Sequence, residues 1–314
     1  MMNTLTHLKK GFNHTGGVTR MVVCLFLFNL IFALLLAIPL FRTLQDEIAS
    51  SDTASQMTES FDYLWWEEFN DRASGPAELF GPDIIGKGAV LLNLEAFLQF
   101  RFLDWPSSLL VFMLLYLVVH TFLAGGILSV FSQDAPRFSM KGFFAGAGHQ
   151  FFRFLGLMAL SWIFFILTAQ YLIGSLNGIL TGIKETAVSE VSPFIWNLIF
   201  SAVVLAVLLF IQMVFDYARI LTVLEHRDNI FSSAWRALRF VVSRPLSTLG
   251  LFYTVFVCQI AVSVLYAVLI ESFPQTKFLT VISAFFIQQL FIFSIIWIRC
   301  WLYASQLELF SYKR

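Results

Sequence analysis

Residues 21–41 read MVVCLFLFNLIFALLLAIPLF. The run is almost wholly apolar, and as a helix rising about 1.5 Å per residue it reaches roughly 30 Å, the thickness of a bilayer's hydrocarbon core. Five further windows have the same character: 106–131, 154–176, 193–215, 246–270 and 278–298. Pro106 and Pro193 open their windows and Pro245 stands just before another. At such positions the missing N–H has no intrahelical partner to lose. Trp105 and Trp196 at one set of ends, with Trp297 and Trp301 at the other, make the aromatic belts expected at both interfaces.

Composition leads the same way. Hydrophobic residues make up 58% of the 314, charged residues 13%, and mean hydropathy is +0.78. Ordinary soluble domains carry roughly twice that share of charge, so the apolar surplus has to face lipid. The reading is an all-α membrane protein: a six-transmembrane-helix bundle in one integral membrane domain, 1–314, with one outer loop at 42–105. Run 21–41 is about twice as long as a signal-peptide core and has no small-residue cleavage pattern, which makes it an anchor that stays. Net charge is zero, which argues against a nucleic-acid surface. Cys24, Cys258 and Cys300 fall in or beside apolar runs without ligand spacing, and no disulfide is expected.

The charge pattern sets an orientation. Lys9, Lys10, Arg20, Arg137, Lys141, Arg153, Arg219, Arg227, Arg236, Arg239, Arg244, Arg299, Lys313 and Arg314 lie on the side that holds both termini. Twelve acidic residues, from Asp46 to Asp104, lie in the first loop on the other side. Cytoplasmic loops carry the excess of Lys and Arg, so both ends are expected inside. The sequon Asn13-His14-Thr15 falls on that side too and should be unused.

Two amphipathic elbows are expected on the cytoplasmic face. In 229–243, Ile230, Val241, Ala234, Leu238, Phe231, Val242 and Trp235 share an arc of about 140°, with Arg236 and Arg239 opposite and Asp228 placed as the cap. In 139–153, Phe143, Ala147, Met140, Phe151 and Phe144 share a face, with Lys141, His149 and Arg153 away from it. Lys141, Arg153, Arg236 and Arg239 are the candidate contacts to anionic phospholipid headgroups. Each elbow joins an inward span to an outward one, which suggests two parallel span–elbow–span units.

Phe215-Asp216-Tyr217-Ala218-Arg219, Ala234-Trp235-Arg236, Arg239-Phe240 and Gly250-Leu251-Phe252-Tyr253 resemble bacterial six-helix integral membrane proteins of uncharacterised type. Among these are the YciC-like envelope proteins and the membrane domain of glycerophosphodiester phosphodiesterases. The resemblance covers a small part of the chain, without a catalytic phosphodiesterase domain. It implies a six-helix fold in a bacterial inner membrane.

Three groups of residues stand out within the spans. Asp216 and Arg219 are three apart on one helix, and Arg299 sits at matching depth on the last span, so an Asp216–Arg299 pair is expected, as a gate or as a structural clamp. His120, one turn after Tyr116, shares the midplane with Gln259, Gln288 and Gln289. These five form a candidate polar site, the simpler account being a neutral histidine bonded to a glutamine. Gly174, Gly178 and Gly182 recur every fourth residue, with internal bundle packing preferred over a dimer interface. In the outer loop, 61–69 reads as a helix with Phe61, Leu64, Trp65 and Phe69 on one side, resting on the outer leaflet, or as a docking site for a protein partner. The 84–103 segment reads as interfacial or re-entrant.

No metalloprotease, P-loop, serine-hydrolase or dinucleotide motif is present, and no catalytic, cofactor-binding or metal-binding residue is assigned. Three function classes fit: a non-catalytic accessory or envelope component binding anionic lipid, a transporter of a small solute or lipid through a midplane polar site, and an intramembrane enzyme.

Overall fold

The structure, a computed structural model, describes residues 4–49, 62–80, 107–133, 135–225, 229–273 and 277–312. The 84–103 segment, Phe61, Trp105, Pro106 and Asp228 lie outside the described residues. Among the described residues the chain is helical, without strands. Helix α1 (Thr4–Gly17) leads almost directly into α2 (Thr19–Ala49), and α3 (Tyr63–Arg72) follows. Then come α4 (Ser107–Phe131), α5 (Met140–Leu167), a π-helical stretch (Thr168–Ile173) and α6 (Gly174–Thr186). The last four are α7 (Val191–Glu225), α8 (Ile230–Ser243), α9 (Pro245–Glu271) and α10 (Phe278–Tyr312). Six helical segments are long and apolar enough to cross a membrane: α2, α4, the continuous α5–α6 rod, α7, α9 and α10.

Helix α1 packs along the final turns of α10. Gly11 makes this approach possible: a Cβ there would fall 2.2 Å from Ser305 Oγ and 2.7 Å from the Ser305 backbone nitrogen. The Trp301 indole donates to the Leu8 carbonyl at 2.8 Å, and Lys10 and His14 each reach Glu308 at 3.5 Å. The termini thus meet at one end of the bundle, termed proximal below; the other end is distal.

At the proximal end one continuous core joins α1, α2, α4, α5, α7, α8, α9 and α10, with Met21, Leu128, Phe143, Phe154, Tyr217, Leu251 and Leu309 almost fully buried. Helices α4 and α5 cross there over small residues. A Cβ on Gly126 would meet the Phe143 ring at 2.7 Å, and one on Gly146 would meet Ser129 Cβ at 2.4 Å. Such contacts let backbones approach closely, which is how helices gain dispersion energy when lipid offers no hydrophobic drive. Toward the distal end this core divides into three separate clusters. Val204 and Leu208 of α7 pack with Trp162 and Phe165 of α5; Tyr266 and Ile270 of α9 pack with Ala284 and Phe291 of α10. The third joins Leu40, Leu44 and Ile48 of α2 to Trp65 and Phe69 of α3.

The two elbows come out differently. Residues 140–153 are no separate helix but the first half of α5, capped by Ser139, whose Oγ accepts from Gly142 N at 3.1 Å. Nothing between Arg153 and Phe154 stops a helix, and packing on α4 offsets the weak propensity of Gly142, Gly146 and Gly148. The second elbow, α8, is a distinct helix because Pro245 follows it. A residue before proline is pushed out of the helical region, and Arg244 has φ −140°, ψ 54°. Its N-terminal cap is Asn229 in place of the expected Asp228: Asn229 Oδ1 accepts from Ser232 N at 3.1 Å.

Helix α3 packs on the end of α2. Its cap Asp62 accepts from Leu64 N and Trp65 N at 3.0 and 3.1 Å, and Trp65 and Phe69 are buried against α2, with Arg72 3.6 Å from Glu47. Leu64 is exposed. Helix α2 continues to Ala49, beyond the expected end at Phe41, and its Leu40–Leu44–Ile48 stripe supplies the dock. The glycine series also departs from expectation: a Cβ on Gly174, Gly178 or Gly182 would meet nothing within 4 Å, so that face packs on no described neighbour.

Candidate functional site

Where the proximal core divides, the helices enclose a cavity of about 760 Å³. Residues of α2, α4, α5, α7, α9 and α10 line it. Its walls are mainly apolar, among them Phe28, Phe32, Phe165, Phe215 and Phe291. Its size is that of a small-molecule or lipid site, for which pockets of roughly 300–1,000 Å³ are usual.

The floor carries the charge. Asp216 on α7 is wholly buried. Its Oδ1 accepts from Arg299 Nη2 on α10 at 2.8 Å and from Arg219 Nη1, one turn along α7, at 3.3 Å. Both guanidiniums also donate to the Tyr303 hydroxyl, Arg299 at 3.0 Å and Arg219 at 3.4 Å, and the Arg299 guanidinium lies 4.5 Å from the Tyr303 ring centre. Helix periodicity makes this cluster: Asp216 and Arg219 are i, i+3, while Arg299 and Tyr303 are i, i+4, so each pair shares one face. With both lone pairs of the phenol oxygen occupied, its own O–H is left as a donor. Arg219 and Arg299 are 15% and 32% exposed, and both line the cavity, whereas Asp216 lies behind them. No acidic side chain lines the cavity among the described residues.

One wall holds a second polar group. The Tyr116 hydroxyl donates to Asn29 Oδ1 at 3.0 Å, and the His120 ring sits 4.3 Å from that of Tyr116, tilted 49°. His120 is not bonded to a glutamine among the described residues; it packs on Tyr116 and faces the cavity. Gln259 lines the cavity too, and Ser263 one turn along donates to its backbone carbonyl at 3.0 Å. Gln288 and Gln289 do not reach it. On α10 the lining stripe runs from Phe291 through Ile295 to Arg299 and Tyr303. Gln288 lies one turn distal of that stripe and is exposed, and Gln289 is rotated off it.

Four basic residues were expected at headgroups. Lys141 and Arg239 are exposed, with no partner among the described residues. Arg236 is ion-paired with Glu225 at the end of α7, and Arg153 lies 3.5 Å from Gln150 Oε1. Beside Arg239, α8 exposes Phe231, Trp235 and Val242 while burying Ser233, Ala237 and Val241.

Sequence reasoning missed Asn29, Gln212 and Tyr303, all in the lining. Each had a signal: Asn29 is an amide inside an apolar run, Gln212 stands one turn before Asp216, and Tyr303 one turn after Arg299. The fold defines the class, a polytopic α-helical membrane protein with six apolar helices. No family model, curated protein or solved structure matches this chain.

Proposed function

We propose that this chain is a lipid-handling membrane protein whose cavity receives an anionic amphiphile, with the head on Arg219, Arg299 and Tyr303 and the tails among the apolar walls. The observation that carries this reading is two guanidiniums sharing one carboxylate at the floor of a mainly apolar cavity that no acidic side chain lines among the described residues. An intramembrane charge is expensive unless it is paired or used. Structural guanidinium–carboxylate pairs frequently engage both carboxylate oxygens in a bidentate fork. Here both bonds fall on Oδ1, and neither Oδ2 nor the buried Arg219 Nε has a hydrogen-bond partner among the described residues.

Depth supports the same reading. Arg299 is about 21 residues along α10 from Phe278, roughly 32 Å at the helical rise. That is close to one hydrocarbon thickness of about 30 Å, so a head bound at the floor sits level with the proximal leaflet's headgroups. Under this proposal the proximal end is cytoplasmic, because Lys9, Lys10, Arg20, Lys141, Arg153, Arg239 and Arg244 gather there. The membrane is the bacterial inner membrane, in line with the resemblance to envelope proteins. Helix α8, with Phe231, Trp235 and Val242 outward beside Arg239, lies in the proximal leaflet. That exposed face favours a second reading, an accessory component anchored by anionic lipid with no use for the cavity.

A cavity-filling variant separates the two. Ser263→Phe places a ring in the cavity without touching the charged floor. Short-chain amphiphiles sharing one tail but carrying anionic, zwitterionic or neutral heads are titrated against detergent-purified protein, with Tm as readout. The amphiphile reading expects the anionic head to raise Tm most in the wild type, and the gain to vanish in Ser263→Phe. Equal stabilisation of both proteins leaves the anchored accessory component, and no stabilisation by any amphiphile overturns both.

A further inference from the structure

Resting on that amphiphile reading, we infer that the cavity selects a head with a single negative charge, a phosphodiester or carboxylate, over a doubly charged phosphomonoester. The inference comes from counting charge at the floor. Arg219 and Arg299 contribute two positive charges and Asp216 one negative. Other polar groups of the lining, Tyr303, Gln212, Ser161, Thr121 and, unprotonated at the pH of about 8 used below, His120, add none. The floor therefore holds a surplus of one positive charge, which the uncharged polar groups around it can orient toward but not cancel. A monoanion brings the cluster to neutrality. A dianion leaves one negative charge in the apolar cavity, and a zwitterion must also bury its cationic part where no carboxylate faces it.

The donor set fits the same head. The Tyr303 O–H and the outward N–H groups of the two guanidiniums present neighbouring donors to one small group of acceptor oxygens. Phosphodiesters and carboxylates each offer a pair of equivalent oxygens to such a fork. Asp216 is the counting device: fully buried behind the arginines, it sets the surplus without touching the ligand.

Calorimetric titration of the full-length protein in a neutral detergent, at about pH 8 where a phosphomonoester carries nearly two charges, tests this. The probes share dioctanoyl tails and carry phosphoglycerol, bare phosphate or phosphocholine heads. Decanoate supplies a carboxylate, and dimethyl phosphate a monoanion without tails. Wild type is expected to bind the phosphoglycerol probe about tenfold more tightly than the bare phosphate, the worth of one charge-assisted interaction. Asp216→Asn keeps an acceptor oxygen but raises the surplus to two, and is expected to invert that order. Should that variant fail to fold, Arg219→Gln leaves the 2.8 Å Asp216–Arg299 bond in place and removes the surplus; phosphoglycerol and phosphocholine should then bind within about threefold of each other. Tighter binding of bare phosphate by wild type, or an order that neither variant changes, overturns the charge count while leaving amphiphile binding intact. Dimethyl phosphate binding as well as the lipids overturns the amphiphile reading and leaves the count standing, and binding of none of the anions overturns both.

Discussion

The proximal and distal halves of this molecule share the same six spans and the same apolar alphabet, yet they pack differently. Proximally, small residues at the crossings let backbones close up: Gly11 against Ser305, Gly126 against Phe143, Gly146 against Ser129. The reward is a continuous core in which side chains as large as Tyr217 and Phe154 are buried. Distally, the glycines of α6 face no described residue within 4 Å and the core falls into three clusters. In water such splaying would be driven shut by the hydrophobic effect. In lipid it is not, because a tail replaces a side chain at little cost. The cavity lies at the change from one regime to the other, where a charged floor has protein beneath it and mainly apolar walls above.

If the proximal half is a fixed base, its keystone charge should be the most sensitive position in the chain. Asp216→Leu leaves Arg219 and Arg299 facing each other without a carboxylate between them. Breaking a buried pair by removing one partner costs about 3–5 kcal/mol. The expected result is a large fall in Tm in detergent, or loss of folded protein. A variant as stable as wild type would mean that the cluster is hydrated and that the base is not dry.

The crossings test packing without charge. Gly126→Ala puts a methyl 2.7 Å from the Phe143 ring, itself buried and held edge-on by Phe138 and Phe144. Gly11→Ala presses on the Ser305 backbone, which cannot rotate away. Overpacking of this kind costs about 1–3 kcal/mol, so both should lower Tm in thermal unfolding, Gly11→Ala mainly by releasing α1. Unchanged Tm in both would show the proximal half to be as loose as the distal one.

How much of this was legible follows from what a sequence can encode. Charge-poor runs of about 20 residues announce spans whatever their neighbours do, and all six expected windows fall on helices long and apolar enough to cross. The spacing of Asp216 and Arg219, and the matched depth of Arg299, are one-dimensional quantities, and the three groups do meet. Tyr303 and Asn29 carry no charge to draw attention, although both make the polar contacts of the cavity. The glutamines show the opposite failure. Depth alone placed Gln288 and Gln289 with Gln259, but reaching a cavity also needs the right face and a neighbouring helix close enough to enclose it. The elbows differ by one residue type, since Pro245 breaks the helix after Ser243 and nothing comparable follows Arg153. Small-residue spacing likewise says that an approach is allowed and not that a partner makes it.

That last distinction gives the smallest and most discriminating effect. Gly178→Ala is chemically the same change as Gly126→Ala, on a helix of the same bundle, but its new methyl meets none of the described residues within 4 Å. With no neighbour to displace, only helix propensity remains, which favours alanine by roughly 1 kcal/mol in a water-exposed helix and by less where lipid already enforces helicity. The variant should therefore match or slightly exceed wild type in Tm, while Gly126→Ala falls below it, both measured by thermal unfolding at one detergent concentration. A drop in Gly178→Ala as large as that in Gly126→Ala would mean that a second copy, a bound chain or a segment of this chain outside the described residues covers the α6 glycine face. The openness of the distal half would then belong to the described residues alone, and the face would be a packed one in the assembled protein.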